Sequence, residues 1–239
     1  RDPRKLERVR RELSEIEGSG QVAGFAADLS DLDAVEALAR AVLEASPQLD
    51  VLINNAGVFA TRAASAQVGA DDLDVRFVVN TIAPYLLTKR LLPALGPNGR
   101  VVNLSSAAQS TVDLRALAGG VPLSDGPAYA QSKLALTMWS RSLAHSLEGR
   151  GPVIVAVNPG SMLGTKMVRE AYGVAGADVG IGVEVLRRAA FDDDFAGASG
   201  QYFDNDSGRF ASPHADALDV RKSDAVVEAV EAILARRAG

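Results

Sequence analysis

The sequence predicts an α/β fold, a doubly wound parallel sheet with helices on both faces. Three observations carry that prediction. Stretches of helical period alternate with short apolar runs along the whole chain, which is the pattern of βαβ units. The runs Val101-Val102 and Val153–Val157 are apolar without alternation, as in strands covered on both sides. The 239 residues, 47% of them hydrophobic, can bury one sizeable core, so one domain over 1–239 is expected.

In chain order, a helical pattern over Pro3–Glu17 is followed by a glycine break and a strand-like run, Val22–Ala26, closed by Asp28-Leu29. A second helix covers Ser30–Ala45, with Ser30 or Asp31 suited to cap it. The strand Val51–Ile53 precedes a long helix over Asp71–Leu95 and a strand over Arg100–Leu104. Helix Pro127–Leu147 and strand Val153–Val157 come next. Thr165–Tyr172 is polar and helix-like, and Val183–Ala190 is a plausible helix. Strand Gln201–Phe203 and helix Ser223–Arg236 complete the pattern.

Bulk properties narrow the function. The 25 basic and 30 acidic residues form no basic stripe, so nucleic acid is not an expected partner. No apolar run approaches the ~20 residues of a membrane span, and a cytoplasmic location is expected. With no cysteine there is no disulfide or thiolate chemistry, and two distant histidines do not suggest a metal site.

The chemistry concentrates in Tyr129-Ala-Gln-Ser-Lys133. A phenol and an ammonium four residues apart share one face of a helix. A free phenol titrates near ~10, and a neighbouring ammonium lowers that value, which suits proton transfer near neutrality. Ser106, in Val-Val-Asn-Leu-Ser-Ser-Ala, supplies a hydroxyl to hold a substrate oxygen if it folds beside the phenol, with Ser105 as its competitor. Four further segments keep a fixed order around these residues. They are Asp28-Leu29, Asn54-Asn55-Ala56-Gly57 after a strand, Asn80 in a helical stretch, and Asn158-Pro159-Gly160 after a strand with Thr165 just beyond.

Together these motifs resemble the short-chain dehydrogenase/reductase family, with its Rossmann-like sheet, over essentially the whole chain. The long stretch between Ser106 and Tyr129 looks most like the retinol dehydrogenase and protochlorophyllide reductase branch. The resemblance implies an oxidoreductase that moves a hydride between a nicotinamide cofactor and an alcohol or carbonyl substrate. In it, Tyr129 exchanges the proton, Lys133 lowers the phenol pKa and binds the nicotinamide ribose, and Ser106, the second serine, polarises the carbonyl. Asn80 holds a water that links the lysine to solvent. On the cofactor side the resemblance implies Asp28 and Leu29 at the adenine, Asn55-Ala56-Gly57 at the adenosine ribose, and Pro159-Gly160 near the nicotinamide. Thr165 then bonds the carboxamide or a phosphate, although it lies one residue later than in the family pattern. Arg1 and Arg4 occupy the neighbourhood that selects the 2′-phosphate, so NADP(H) is favoured over NAD(H).

Arg1-Asp-Pro-Arg-Lys-Leu-Glu resembles the loop and helix that follow the family's second strand. On that reading the chain is N-terminally incomplete, lacking about 30–45 residues with the glycine-rich phosphate turn. Gly176-Ala-Asp-Val-Gly180-Ile-Gly182 has a comparable spacing, but no buried strand leads into it, and a plain loop is expected. Residues 107–128 and 161–210 should border the substrate, and their Leu114, Leu117, Val121, Leu123, Met162, Leu163, Met167 and Phe191 favour a lipophilic one. The apolar Leu136, Met138, Trp139 and Leu143 suggest that the helices Asp71–Leu95 and Pro127–Leu147 build a homodimer or homotetramer. The alternative from another class is a catalytically silent dinucleotide-binding regulator or scaffold.

Overall fold

The computed structural model describes residues 2–59 and 72–237. Helices α1 (Pro3–Ser14) and α2 (Leu32–Ala45) are capped by Asp2 and Asp31, each carboxylate accepting two backbone N–H groups of the first turn. Ser30 is held instead by Asp28 Oδ1, which accepts from its N–H at 3.0 Å and its hydroxyl at 2.7 Å. Between α1 and α2 the structure departs from expectation, because Val22–Ala26 forms no strand and Phe25 is 39% exposed. An apolar run becomes a strand only where a neighbour offers backbone partners. Among the described residues, β1 (Leu49–Asn54) finds its ladder partner in β2 alone.

The long helix after β1 comes in pieces: α3 (Val75–Phe77), a π turn (Val78–Ile82), α4 (Ala83–Leu91) and a 3₁₀ turn (Leu92–Ala94). Its expected beginning at Asp71 lies outside the described residues. Pro84 accounts for the widened turn. Having no N–H, it cannot donate to the Asn80 carbonyl four residues back, and the helix bonds Ala83 N to Val78 O instead. Strand β2 (Leu95–Leu104) starts earlier than expected, because Leu95 pairs with Leu49 before a register irregularity.

The remaining elements are α5 (Leu114–Leu117), α6 (Asp125–Ser146), β3 (Val153–Asn158), α7 (Lys166–Tyr172), α8 (Val179–Phe191), β4 (Tyr202–Asp204), β5 (Arg209–Ala211), α9 (Ala215–Leu218) and α10 (Val220–Arg237). The sheet has the order β1-β2-β3-β4-β5, with four parallel strands and an antiparallel β5 that the sequence pattern does not reveal. Helices cover both faces. Val101 and Ile154 pack against Ala144 of α6, while Val102, Leu104, Val155 and Val157 pack against Val185 and Ala189 of α8.

The apolar surplus of α6 is covered within the chain. Leu136, Met138 and Trp139 are at most 2% exposed and share one cluster with Val226, Val230 and Ile233 of α10. These side chains therefore give no argument for a subunit interface. No helix among the described residues is long and apolar enough to cross a membrane.

Candidate active site

The carboxyl ends of β1, β2 and β3 meet α6 at one end of the sheet, where ligands of open parallel sheets bind. Helix α6 turns Lys133, Thr137 and Ser140, four and three residues apart, toward the sheet, with Ser132 beside them facing the π turn. Ser132 meets Asn80, Lys133 meets the end of β2, Thr137 meets Ser105, and Ser140 meets Asn103. Each bond offsets the cost of burying a polar group.

Alternation along β2 separates the two serines. The buried Ser105 hydroxyl pairs with Thr137 Oγ1 at 2.7 Å, whereas the Ser106 hydroxyl accepts from Ala108 N at 3.1 Å and stands beside the Tyr129 phenol, whose pKa it works to lower. Lys133 Nζ is fully buried, donates to Leu104 O at 2.6 Å, and lies 5.7 Å from the centre of the Tyr129 ring. Tyr129, Lys133 and Ser106 are thus brought together.

The electrostatics differ from the sequence expectation. Burial raises the Tyr129 phenol above its ordinary value, the Ser106 hydroxyl works against that, and nearby Tyr172 adds to the rise. The ammonium carries a burden of its own, since burial pulls its pKa down from 10.5 to about 8. Phe59 covers the phenol, its ring centre 4.9 Å from that of Tyr129 and 5.5 Å from that of Tyr172 on α7. The sequence analysis missed both aromatics, although Phe59 stands only two residues beyond the Asn-Ala-Gly turn.

Asn80 sits in the π turn, but its side chain is a brace. Its amide nitrogen donates to Val58 O and Ser132 Oγ, both at 2.9 Å, and its oxygen accepts from Val58 N at 2.8 Å. Gly57 borders these side chains at ordinary contact distance. A Cβ at that position would lie 3.4 Å from Asn80 Oδ1, 3.5 Å from Lys133 Nζ and 3.7 Å from Met167 Cε. Leu29, Asn55 and Ala56 line a neighbouring cavity of about 100 Å³ with Val79, Pro84 and Leu87. Asn54, the first of the asparagine pair, is structural and bonds Asn103 Oδ1 at 2.7 Å and Thr88 Oγ1 at 3.0 Å.

Other expected site residues are engaged differently. Asp28 forms the turn with Ser30. The Thr165 hydroxyl caps α7, accepting from Val168 N at 3.3 Å. Pro159 and Gly160 leave β3 beneath the β4–β5 turn, where Asn205 Nδ2 donates to Pro159 O at 2.9 Å. Arg1 lies outside the described residues. Leu117 is core, and Val121 and Leu123 pack on the α4–α6–α10 cluster, so these three do not line the cleft. Phe191 is 68% exposed. Gly176 serves close packing, since a Cβ there would stand 2.6 Å from Gly164 N. The α8 N-terminus already has a carboxylate, as Asp178 accepts from Gly180 N at 2.9 Å.

Sequence and structure comparisons show the family and the fold. The profile of the short chain dehydrogenase family matches residues 1–175. Retinol dehydrogenase 12 of Bos taurus is 36% identical over 176 residues, 72% of this chain and 54% of that protein. Retinol dehydrogenase 11 of Homo sapiens is 35% identical over 166 residues, 68% and 51% of the two chains. The chain spans about half the length of these curated relatives. A solved Mycobacterium paratuberculosis protein superposes with a TM-score of 0.75 at 28% identity, covering 97% of this chain and 80% of the other. A Burkholderia cenocepacia short chain dehydrogenase in complex with NADP superposes with a TM-score of 0.61 at 28% identity, covering 84% and 82%. A polar column on α6 at the carboxyl ends of parallel strands, with these matches, means that the chain belongs to the short-chain dehydrogenase family, in its retinol dehydrogenase-like branch.

Proposed function

We propose that the protein is an NADP(H)-dependent oxidoreductase that interconverts an alcohol and a carbonyl compound, a lipophilic one by preference. The observation that carries this reading is the Tyr129 phenol beside Ser106, with the buried Lys133 ammonium 5.7 Å from the phenol ring. A pure dinucleotide binder has no use for a phenol beside a serine at the cleft.

The cleft suits a dinucleotide. Leu29, Asn55 and Ala56 line an adjoining cavity, and the Lys133 ammonium stands next to Gly57. On this reading those residues hold the adenosine side, while Lys133, Pro159 and Gly160 hold the nicotinamide side. NADP(H) is favoured because the Burkholderia relative was solved with NADP and because the chain opens with Arg1 and Arg4. When bound, the cofactor supplies the hydride for carbonyl reduction and accepts it in alcohol oxidation.

The chain's own residues manage the proton and the substrate. Ser106 donates a hydrogen bond to the substrate oxygen and so orients the carbonyl against Tyr129. In reduction the protonated phenol donates its proton to the developing alkoxide, and in oxidation the phenolate takes the alcohol proton. The raised pKa keeps the phenol protonated at neutral pH, which favours reduction there. Phe59 and Tyr172 exclude water from the phenol and offer an aromatic wall to an apolar substrate. Asn80 fixes the exit of β1 against α6, and on the family resemblance it holds a water that links Lys133 to solvent. A homodimer or homotetramer rests on family resemblance alone, and a cytoplasmic location belongs to the same reading.

The test is cofactor absorbance with NADPH and NADH against a panel of short and long-chain aldehydes and ketones, with the matching alcohols in reverse. Turnover preferring NADPH and long apolar substrates supports the reading. Dinucleotide binding without turnover on any substrate would replace the enzyme with the silent binder.

A further inference from the structure

The Phe203-Asp-Asn-Asp-Ser207 stretch has no role in the reading above, yet its turn grips both sides of the cleft. Asn158 ends β3 and is 2% exposed. Its Nδ2 donates to Asp204 Oδ1 and Asp206 Oδ2, both at 2.8 Å, and its Oδ1 accepts from Gly160 N at 3.3 Å. Asp206 then reaches past Gly160 to Ser161, accepting its N–H at 2.7 Å and its hydroxyl at 2.5 Å. Asn205 closes the other side, with its N–H on Asn158 O at 3.1 Å and its amide on Pro159 O. From the same hairpin the Tyr202 hydroxyl donates to Ser106 O at 3.1 Å.

This is more hydrogen bonding than a surface turn needs, and it converges on the four residues 158–161. Burial works to raise the Asp206 carboxyl, but the bonds from Ser161 and Asn158 prevail and hold it below the usual carboxylate range. The group is therefore an ionised acceptor throughout the neutral region, where charge-assisted bonds are strongest.

We infer that Asp206 is a positioning residue which, through Ser161 and Asn158, fixes the Pro159–Gly160 loop at the nicotinamide end of the cleft. This rests on the dinucleotide reading of that cleft. Asp206 touches no reacting atom, and its effect passes through the loop to cofactor affinity. A carboxylate suits the place because the three groups it accepts from, Asn158 Nδ2, Ser161 N and Ser161 Oγ, are all donors in this geometry. An asparagine keeps one acceptor and turns its amide nitrogen toward donors, so it should restore part of the function that alanine loses.

The experiment compares wild type with Asp206→Ala and Asp206→Asn, measuring NADPH affinity by fluorescence titration, KM for both substrates, kcat, and thermal midpoint. The expected result is at least a tenfold loss of NADPH affinity in Asp206→Ala, a smaller loss in Asp206→Asn, and a carbonyl-substrate KM within about twofold of wild type. A purely structural residue would lower the midpoint and the active fraction while leaving the NADPH affinity of folded protein unchanged, and that result overturns the inference. Equal affinity in all three proteins overturns it too, with wild-type turnover leaving the functional reading intact. A wild type that binds no dinucleotide defeats that reading and this inference with it.

Discussion

Lys133→Met should remove the rise of stability with pH between about 8 and 10.5, leave the protein at neutral pH no less stable than wild type, and abolish its activity. The ammonium is fully buried, and burial lowers its pKa from 10.5 to about 8. Each pH unit of such a difference is worth about 1.4 kcal/mol, so keeping the charged form in the folded state costs ~3 kcal/mol at neutral pH. That is a readable part of the roughly 5–15 kcal/mol that holds a domain folded. The sign follows from proton counts. Below about pH 8 both states carry the proton and the full penalty applies. Between about 8 and 10.5 the unfolded chain binds more protons, so wild-type stability rises with pH, and above that window the penalty is gone. Methionine removes the penalty at every pH but strands the Leu104 carbonyl, at a cost of about 1–3 kcal/mol that does not vary with pH. Urea unfolding of both proteins at several pH values isolates the effect, since other titrating groups cancel in the difference. Wild type should gain ~3 kcal/mol on the variant across the window. A flat difference would show that the buried ammonium has a solvating partner and would refute the reasoning.

Tyr129→Phe should lower kcat by about 10²–10⁴ with NADPH affinity within a few-fold, because only the proton-transfer group is lost. Wild-type kcat in the variant would remove Tyr129 from the centre of the reaction. Alcohol oxidation should climb with pH through the alkaline range, since it needs the phenolate of a phenol whose pKa burial has raised, and Phe59→Ala should move that limb to lower pH by readmitting water. An unmoved limb in the Phe59 variant would mean that another group sets it. Tyr202→Phe deletes the bond to Ser106 O and nothing else of the ring, so kcat should fall a few-fold, in line with ~1 kcal/mol for one hydrogen bond, at unchanged NADPH KM. An effect on NADPH KM instead would tie Tyr202 to the Pro159–Gly160 loop.

Local spacing carried much of this protein into view. The Tyr129–Lys133 pair lies on one helical face by helix geometry alone, and apolar runs without alternation marked the strands that are buried twice. Two adjacent serines at a strand end must face different ways, which sends Ser105 to Thr137 and leaves Ser106 for the phenol. Whatever depends on distant partners was decided by the tertiary structure. Val22–Ala26 looks like a strand but pairs with none among the described residues, because pairing is non-local. The apolar side of α6 looks like an interface and is closed by α10, some ninety residues later in the chain. The sign of the phenol's pKa shift reversed for the same reason. Spacing shows that an ammonium is near, whereas the burial that raises the phenol, and the Phe59 ring packed on it, come from the tertiary fold. The grip of Asp206 on Ser161 depends on β5 turning back against β4, and that contact of short polar segments leaves no periodic trace in the sequence.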